Sequence, residues 1–251
     1  MKQLIRSMFD RLGYTIQRKP SLEAKAGVFD EDCLITSLNH DFVSDPRFIK
    51  AYEAGKATGA MFPGRWRFHV ALWAAQHAAK LPGDFVECGV NNGSFSKAIL
   101  TYLPWEDLSK SFYLFDTWAG FDIKQLKAEE ISLGVLERYS GYDDGVYESV
   151  VETFGRHSRV KLYRGSVPQT LAQAQIEKVS YLSIDMNCSA PEISAAEYFW
   201  DMLVPGAVIV LDDYGFNGSH MVQKRAFDGF ASTRGTEVLS LPTGQGLIFK
   251  I

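Results

Sequence analysis

Three acidic positions dominate the chemistry open to this chain: Asp185, which ends the apolar run 179–184, and the pair Asp212 and Asp213, which ends the apolar run 206–211. Both runs have strand length, and 191–203 between them has the length and composition of one crossover helix. Parallel strands joined in this way lie about 4.8 Å apart, so the three carboxylates are predicted to emerge side by side at the carboxyl edge of a sheet. Open α/β sheets bind their ligands along that edge. Carboxylates held so close repel one another unless a proton or a cation intervenes. No His or Cys stands at ligand spacing beside them, and an all-oxygen set selects a hard ion, Mg²⁺ first, with Mn²⁺ or Ca²⁺ as substitutes. The plainer alternative has the Asp pair capping the next helix and Asp185 in a solvated loop. Two acidic strand ends in one crossover unit favour the metal.

A second set of residues lies upstream. The segment 83–94 reads as a strand ending at Glu87 and Cys88, a turn containing Gly89, Asn91 and Gly93, and a helix from Ser94 to about 103. Glycines there let backbone approach a ligand, and the helix start offers free N–H groups. The spacing G-x-x-x-G matches neither the dinucleotide fingerprint nor the P-loop, and no Lys or Arg in the turn serves a phosphate. The next strand, 111–116, ends in Asp116, 29 residues after Glu87. An acid at that position is where α/β folds hydrogen-bond a ribose diol. A nucleoside-like ligand without phosphate fits the two strand ends; a carboxylate that only caps the turn from Thr117 is the alternative.

These strands and crossovers need one doubly wound α/β domain, and 251 residues with 46% hydrophobic content can form its core. A net charge of −4 gives no electrostatic case for nucleic acid. Cys33, Cys88 and Cys188 are too scattered for a disulfide framework or a zinc site and read as reduced thiols. No run approaches the roughly 20 apolar residues of a membrane span, and the first residues lack the apolar core of a signal peptide, so a soluble, cytoplasmic protein is expected.

Residues 1–19 carry +4, which leaves −8 for the remainder. Leu4, Ile5, Met8, Phe9 and Leu12 share one helical face, the pattern of a basic amphipathic helix able to touch a membrane surface or a partner. Docking on the protein's own body or on a second subunit is the plainer use. The expected organisation is this helix and a linker over 1–44, then the α/β domain over 45–251. A helix is predicted for 45–54 with Pro46 at its first position, and another for 65–80, with Trp66, Val70, Trp73, Ala74 and His77 lining the stripe that packs on the sheet. His69 and His77 read as helix-surface or satisfied core residues. The stretch 120–155, with Tyr139, Tyr142, Asp143, Asp144 and Tyr147, is long for a connection: it is either a lid or acceptor-binding segment or packing. A strand over 159–163, a helix over 217–233 and a hairpin over 236–251 complete the sheet.

Four stretches carry a resemblance: 83–90 (GDFVECGV), 115–117 (FDT), 203–206 (LVPG) and 212–215 (DDYG), in this order. From about residue 58 to the C-terminus the chain resembles the macrocin O-methyltransferase family, which includes the mycinamicin and novobiocin sugar O-methyltransferases. The resemblance implies a Rossmann-like class I fold with a mostly parallel seven-stranded sheet, S-adenosylmethionine as methyl donor, a bound Mg²⁺, and a small-molecule acceptor with a sugar or sugar-like hydroxyl. It implies that Glu87, Gly89 and Asp116 hold the cofactor, with Asn91, Gly93, Ser94, Thr117, Trp118, Ser166 and Asp185 around it, and that Asp185, Asp212 and Asp213 hold the metal.

In that family the metal-bearing strand usually ends Asp-x-Asp, with the second acid implicated as general base. Here it ends Asp185-Met186-Asn187, and an amide cannot accept a proton at neutral pH. The catalytic candidates are therefore Asp185, with Asn187 orienting the acceptor, and His220, ranked below direct activation by the metal because a lone His in such a segment is commonly a surface residue. Two other functions remain open on the sequence: a non-catalytic cofactor-binding or assembly protein, motivated by Asn187, and a metal-dependent hydrolase using the same three acids.

Overall fold

The computed structural model describes residues 28–31, 34–59, 64–139 and 146–251. The amphipathic pattern over 1–19 lies outside them. The chain divides into two units, 1–41 and 42–251. In the first, β1 (Phe29–Glu31) and β2 (Leu34–Thr36) pair antiparallel, with Asp30 opposite Ile35. Part of the expected linker is thus a hairpin whose three-residue strands are too short to leave a periodic signal.

The second unit is built on a sheet whose strands are β3 (Asp84–Cys88), β4 (Phe112–Asp116), β5 (Val160–Arg164), β6 (Val179–Ile184), β7 (Leu203–Leu211), β8 (Leu239–Ser240) and β9 (Gly246–Phe249). They lie in the order β5-β4-β3-β6-β7-β9-β8. The pairs among β3 to β7 are parallel, and β9 runs antiparallel to both β7 and β8. After β3 the chain moves outward through β4 and β5, then returns to place β6 on the other side of β3. That reversal leaves a crevice at the carboxyl ends of β3 and β6.

Side-chain alternation distributes the strands between two cores. Phe85, Phe112, Leu114, Tyr181, Val208 and Val210 face a core made with α1 (Pro46–Lys56), α2 (Arg65–Ala78) and α3 (Ser94–Tyr102). Val86, Cys88, Phe115, Leu182, Ile184, Ile209 and Leu211 face the opposite core, completed by α7 (Ser189–Trp200) and α8 (His220–Thr233). Each fully buried Phe or Leu contributes roughly 1.5–3 kcal/mol by leaving water. By the same alternation Glu87, Ser183 and Asp212 fall on the α2 side of the sheet.

Helix α1 begins as expected at Pro46, with the Asp45 side chain accepting from Arg47 N at 2.8 Å. The buried stripe of α2 differs from the expected one. It is Arg67, Phe68, Ala71, Leu72, Ala74, Ala75 and Ala78, while Trp73 is 48% exposed. Four alanines let the helix lie close to the sheet, and the bulkier Trp73 is displaced to the flank, stacked on His77 with ring centroids 5.8 Å apart. Both helix histidines have contacts: His77 Nε2 lies 2.8 Å from Gly206 O, and the His69 ring stacks on Phe42 at 4.0 Å. Among the described residues no helix is long and apolar enough to cross a membrane.

Candidate active site

Cys88, Ile184 and Leu211 are level with one another across β3, β6 and β7, so the next residues, Gly89, Asp185 and Asp212, leave the sheet in a row. Asp185 N donates to Cys88 O at 2.8 Å and Asp212 N to Ile184 O at 3.1 Å. Gly89, at φ +88°, is pressed against this row: a β-carbon there would stand 1.8 Å from Asp185 O. A β-carbon on Gly93, at φ +77°, would meet the Phe154 ring at 2.4 Å. The close approach that both glycines permit is to the protein itself, and Gly89 also borders the cleft at this edge.

Among the described residues, three that are not glycine adopt left-handed backbone: Asn91 (φ 49°), Trp118 (φ 45°) and Asn187 (φ 60°). All three line one cleft at the carboxyl edge. Asn tolerates this region, whereas Trp118 is held in it by its surroundings. Its indole Nε1 donates to Asn91 O at 2.8 Å and its N to Asp116 Oδ1 at 2.7 Å. Asp116 is the clamp of the two turns, because its Oδ2 also accepts from Val90 N at 2.6 Å and Asn91 N at 2.8 Å. Hydrogen bonds to a charged acceptor are worth about 1.5–3 kcal/mol each. The turn-capping alternative for Asp116 is thus realised, across two turns at once, with the carboxylate still bordering the cleft.

Glu87, Gly89, Ser94, Thr117, Asp185 and Asp212 border the same cleft, together with Val146, Phe121 and Gln125 of the long connection. Gly93, Ser166, Asp213 and His220 are not among its lining residues; Ser166 donates its hydroxyl to Asp122 Oδ2 at 3.0 Å. Glu87 is 2% exposed. Burial pushes its carboxyl up to about 8, the Ser96 hydroxyl that donates to it opposes the shift, and the charges of Asp185 and Asp116 reinforce it.

Asp185, Asp212 and Asp213 each offer an oxygen within 4.8 Å of the others. Burial, and then the Asp213 charge, push Asp185 up to about 8 against the pull of Arg67. Arg67 escaped the sequence reading. It projects from the buried stripe of α2 onto the same side of the sheet as Asp212. There its Nη2 contacts Asp212 Oδ2, its Nε lies 3.4 Å from Asp212 Oδ1, and Nη2 lies 3.7 Å from Asp213 Oδ1. Gln245, from the β8–β9 turn, also donates to Asp212 Oδ1 at 2.9 Å. The signal for Arg67 was a guanidinium on an alanine-rich helical face, which needs a buried carboxylate opposite.

His220 is a buried residue at the first position of α8, not a surface one, being 2% exposed. Its Nδ1 lies 2.7 Å from Gln223 Oε1 and 3.6 Å from Asp213 Oδ2, and its Nε2 lies 3.0 Å from the Tyr139 hydroxyl. An amide oxygen only accepts, so Nδ1 carries a proton towards Gln223. Both nitrogens are engaged by the protein, and the ring supports Asp213 from behind instead of facing the cleft. Gln223 continues to Glu192 at 2.8 Å, which accepts from Met186 N at 3.0 Å and so holds the turn that carries Asn187.

The long connection forms α4 (Ala128–Ser132), α5 (Val135–Arg138) and α6 (Val146–Phe154). Tyr142, Asp143 and Asp144 lie outside the described residues. Val150 and Phe154 pack into the core, Glu130 Oε1 accepts from Ser189 N at 2.7 Å at the start of α7, and Arg225 pairs with Glu129 at 2.6 Å. The segment therefore both packs and borders the cleft.

A model of the macrocin-O-methyltransferase (TylF) family matches residues 63–237. No curated protein sequence matches the chain. Among solved structures it is similar to the O-methyltransferase NovP, at 18% identity over 74% of this chain and 80% of that one, TM-score 0.64. It is similar to CalS11, described as calicheamicin methyltransferase, at 14% identity over 93% and 99% of the two chains, TM-score 0.58. The apo structure of CalS11, described as TDP-rhamnose 3'-O-methyltransferase, is similar at 16% identity over 85% and 97%, TM-score 0.52. At these identities the likeness shows the fold, the seven-stranded class I methyltransferase sheet.

Proposed function

The chain belongs to the macrocin-O-methyltransferase family, and from that premise we propose that this S-adenosylmethionine-dependent O-methyltransferase acts, with Mg²⁺, on a hydroxyl of a sugar or sugar-like natural-product acceptor. The observation that carries the reading is the cluster of Asp185, Asp212 and Asp213, with an oxygen from each inside 4.8 Å, beside the cleft that Glu87 and Asp116 also border. Three oxygen donors, those of Asp212 and Asp213 buried and that of Asp185 half-buried, with no nitrogen or sulfur ligand among them, fit a hard divalent ion.

S-adenosylmethionine supplies the methyl group, and Mg²⁺ held by the three acids would make an acceptor hydroxyl more acidic. The remaining work falls to the chain. Asp116 and Glu87 hold the adenosyl part across the ends of β4 and β3, with Asn91 and Trp118 presenting backbone from their left-handed turns. Asn187 orients the acceptor through its amide, and Asp185, nearest to it in sequence among the three acids, takes the hydroxyl proton. Aligning acceptor oxygen and methyl supplies several kcal/mol through effective molarity. The name given to CalS11 supports a deoxysugar class of acceptor.

The test is S-adenosylhomocysteine release over a panel of nucleotide-linked and aglycone-linked deoxysugars with Mg²⁺ present. Methylated product on at least one sugar hydroxyl is expected. Turnover confined to phenolic or amine acceptors would replace the sugar reading.

A further inference from the structure

We propose that Arg67 is the resident counter-ion of the acid cluster and that a divalent ion must exchange with it for Asp212. The inference rests on the Mg²⁺ reading above. Asp212 is 3% exposed, and both of its oxygens are engaged from the α2 side and the β8–β9 turn: Oδ2 by Arg67 Nη2, Oδ1 by Arg67 Nε at 3.4 Å and by Gln245 Nε2 at 2.9 Å. The same guanidinium reaches Asp213 Oδ1 at 3.7 Å and borders the cleft beside Asp185.

A guanidinium is always charged and forks onto a carboxylate, so it neutralises one of the three acids without leaving the protein. A guanidinium and a divalent ion drawn to the same buried carboxylate repel each other, and more strongly the less water lies between them. An ion that takes Asp212 as ligand therefore has to displace Arg67 from Oδ2, and its apparent affinity is reduced by the work of that exchange. Gln245 is neutral and can stay on Oδ1, keeping Asp212 oriented through the change. Arg67 is thus a residue that positions Asp212 in the ion-free protein and sets how tightly the ion is held.

Titration of Mn²⁺ into the full chain and into Arg67→Gln, read by the electron paramagnetic signal of free Mn²⁺, tests this directly. At least tenfold tighter binding by Arg67→Gln is expected, with an ion-free melting temperature below that of the unsubstituted protein and recovery at saturating Mg²⁺. Binding by the variant alone would support the inference more strongly. Equal or weaker binding by Arg67→Gln overturns the exchange and leaves the Mg²⁺ reading standing, whereas no binding by either protein overturns both. Because Arg67→Gln leaves a buried carboxylate without its cation and could fail to fold, the unsubstituted protein carries a second test. The Arg67 Nε–H resonance should be protected from exchange without ion and lose that protection on Mg²⁺ addition. Unchanged protection at saturating Mg²⁺ overturns the inference.

Discussion

Gly89 and Asp185 touch backbone to backbone: the carbonyl oxygen of Asp185 stands 1.8 Å from where a Gly89 β-carbon would lie, and Asp185 N bonds to Cys88 O. The turn at Gly89 and the first acid of the cluster are thus one packed unit, although they lie 96 positions apart in the chain. Gly89→Ala must move Asp185 as well as adopt a φ of +88°. We expect it to lose more than about 2 kcal/mol of stability and to weaken both cofactor and ion binding. Urea unfolding and calorimetry check this, and a variant impaired in only one of the two bindings would separate the sites.

Asp116→Ala removes three backbone hydrogen bonds, from Val90, Asn91 and Trp118. S-adenosylhomocysteine binding should weaken by about 10- to 100-fold, corresponding to one charged hydrogen bond of roughly 1.5–3 kcal/mol to the ligand. Asp116→Asn, which keeps an acceptor oxygen, should recover part of it. Unchanged affinity in both variants would confine Asp116 to holding the turns.

Burial pushes the Glu87 carboxyl up to about 8 in the folded chain, from 4.5 for an ordinary glutamate. The unfolded chain releases this proton first, so stability is full below about pH 4.5 and declines as pH rises towards 8. Glu87→Gln removes this carboxyl's share of the decline and leaves that of Asp185, which burial also raises to about 8. Its advantage over the unsubstituted protein should be small at pH 4.5 and grow to the order of a few kcal/mol by pH 8. Denaturant midpoints across that range measure it, and a gap that shrinks with pH would reverse the assignment.

Exhaustive chelation should abolish methyl transfer and leave S-adenosylhomocysteine binding intact, since Glu87 and Asp116 lie on other strands than Asp185, Asp212 and Asp213. Turnover unchanged by chelation would remove the metal from the reaction.

Asp185→Ala is expected to abolish turnover and Asn187→Ala to lower it moderately. Asn187→Asp decides between two sources of proton transfer. A gain in rate at neutral pH would mean that a base at 187 is limiting; an unchanged or lower rate supports activation by the ion with Asp185 as acceptor.

Strand ends, crossover lengths and the acidic residues at 87, 116, 185, 212 and 213 were legible in the sequence, because apolar runs of strand length and their polar exits are local patterns. Parallel pairing of β6 with β7, and so the meeting of Asp185 with Asp212 and Asp213, follows from one short crossover. Arg67 against Asp212, Gln245 against the same carboxylate, and Tyr139 against His220 span 145, 33 and 81 residues, and no local pattern encodes them. They arise where elements on one side of the sheet are brought to the same edge. The stripe on α2 shows the same limit: periodicity identified a helix, but which face lies down was decided by the alanines that let α2 approach the sheet, and that face carries Arg67. The sequence by itself therefore determined which groups end the strands, whereas the tertiary structure alone decided which cation, amide or hydroxyl each one meets, because buried polar groups are satisfied by whatever the packing brings within hydrogen-bond reach.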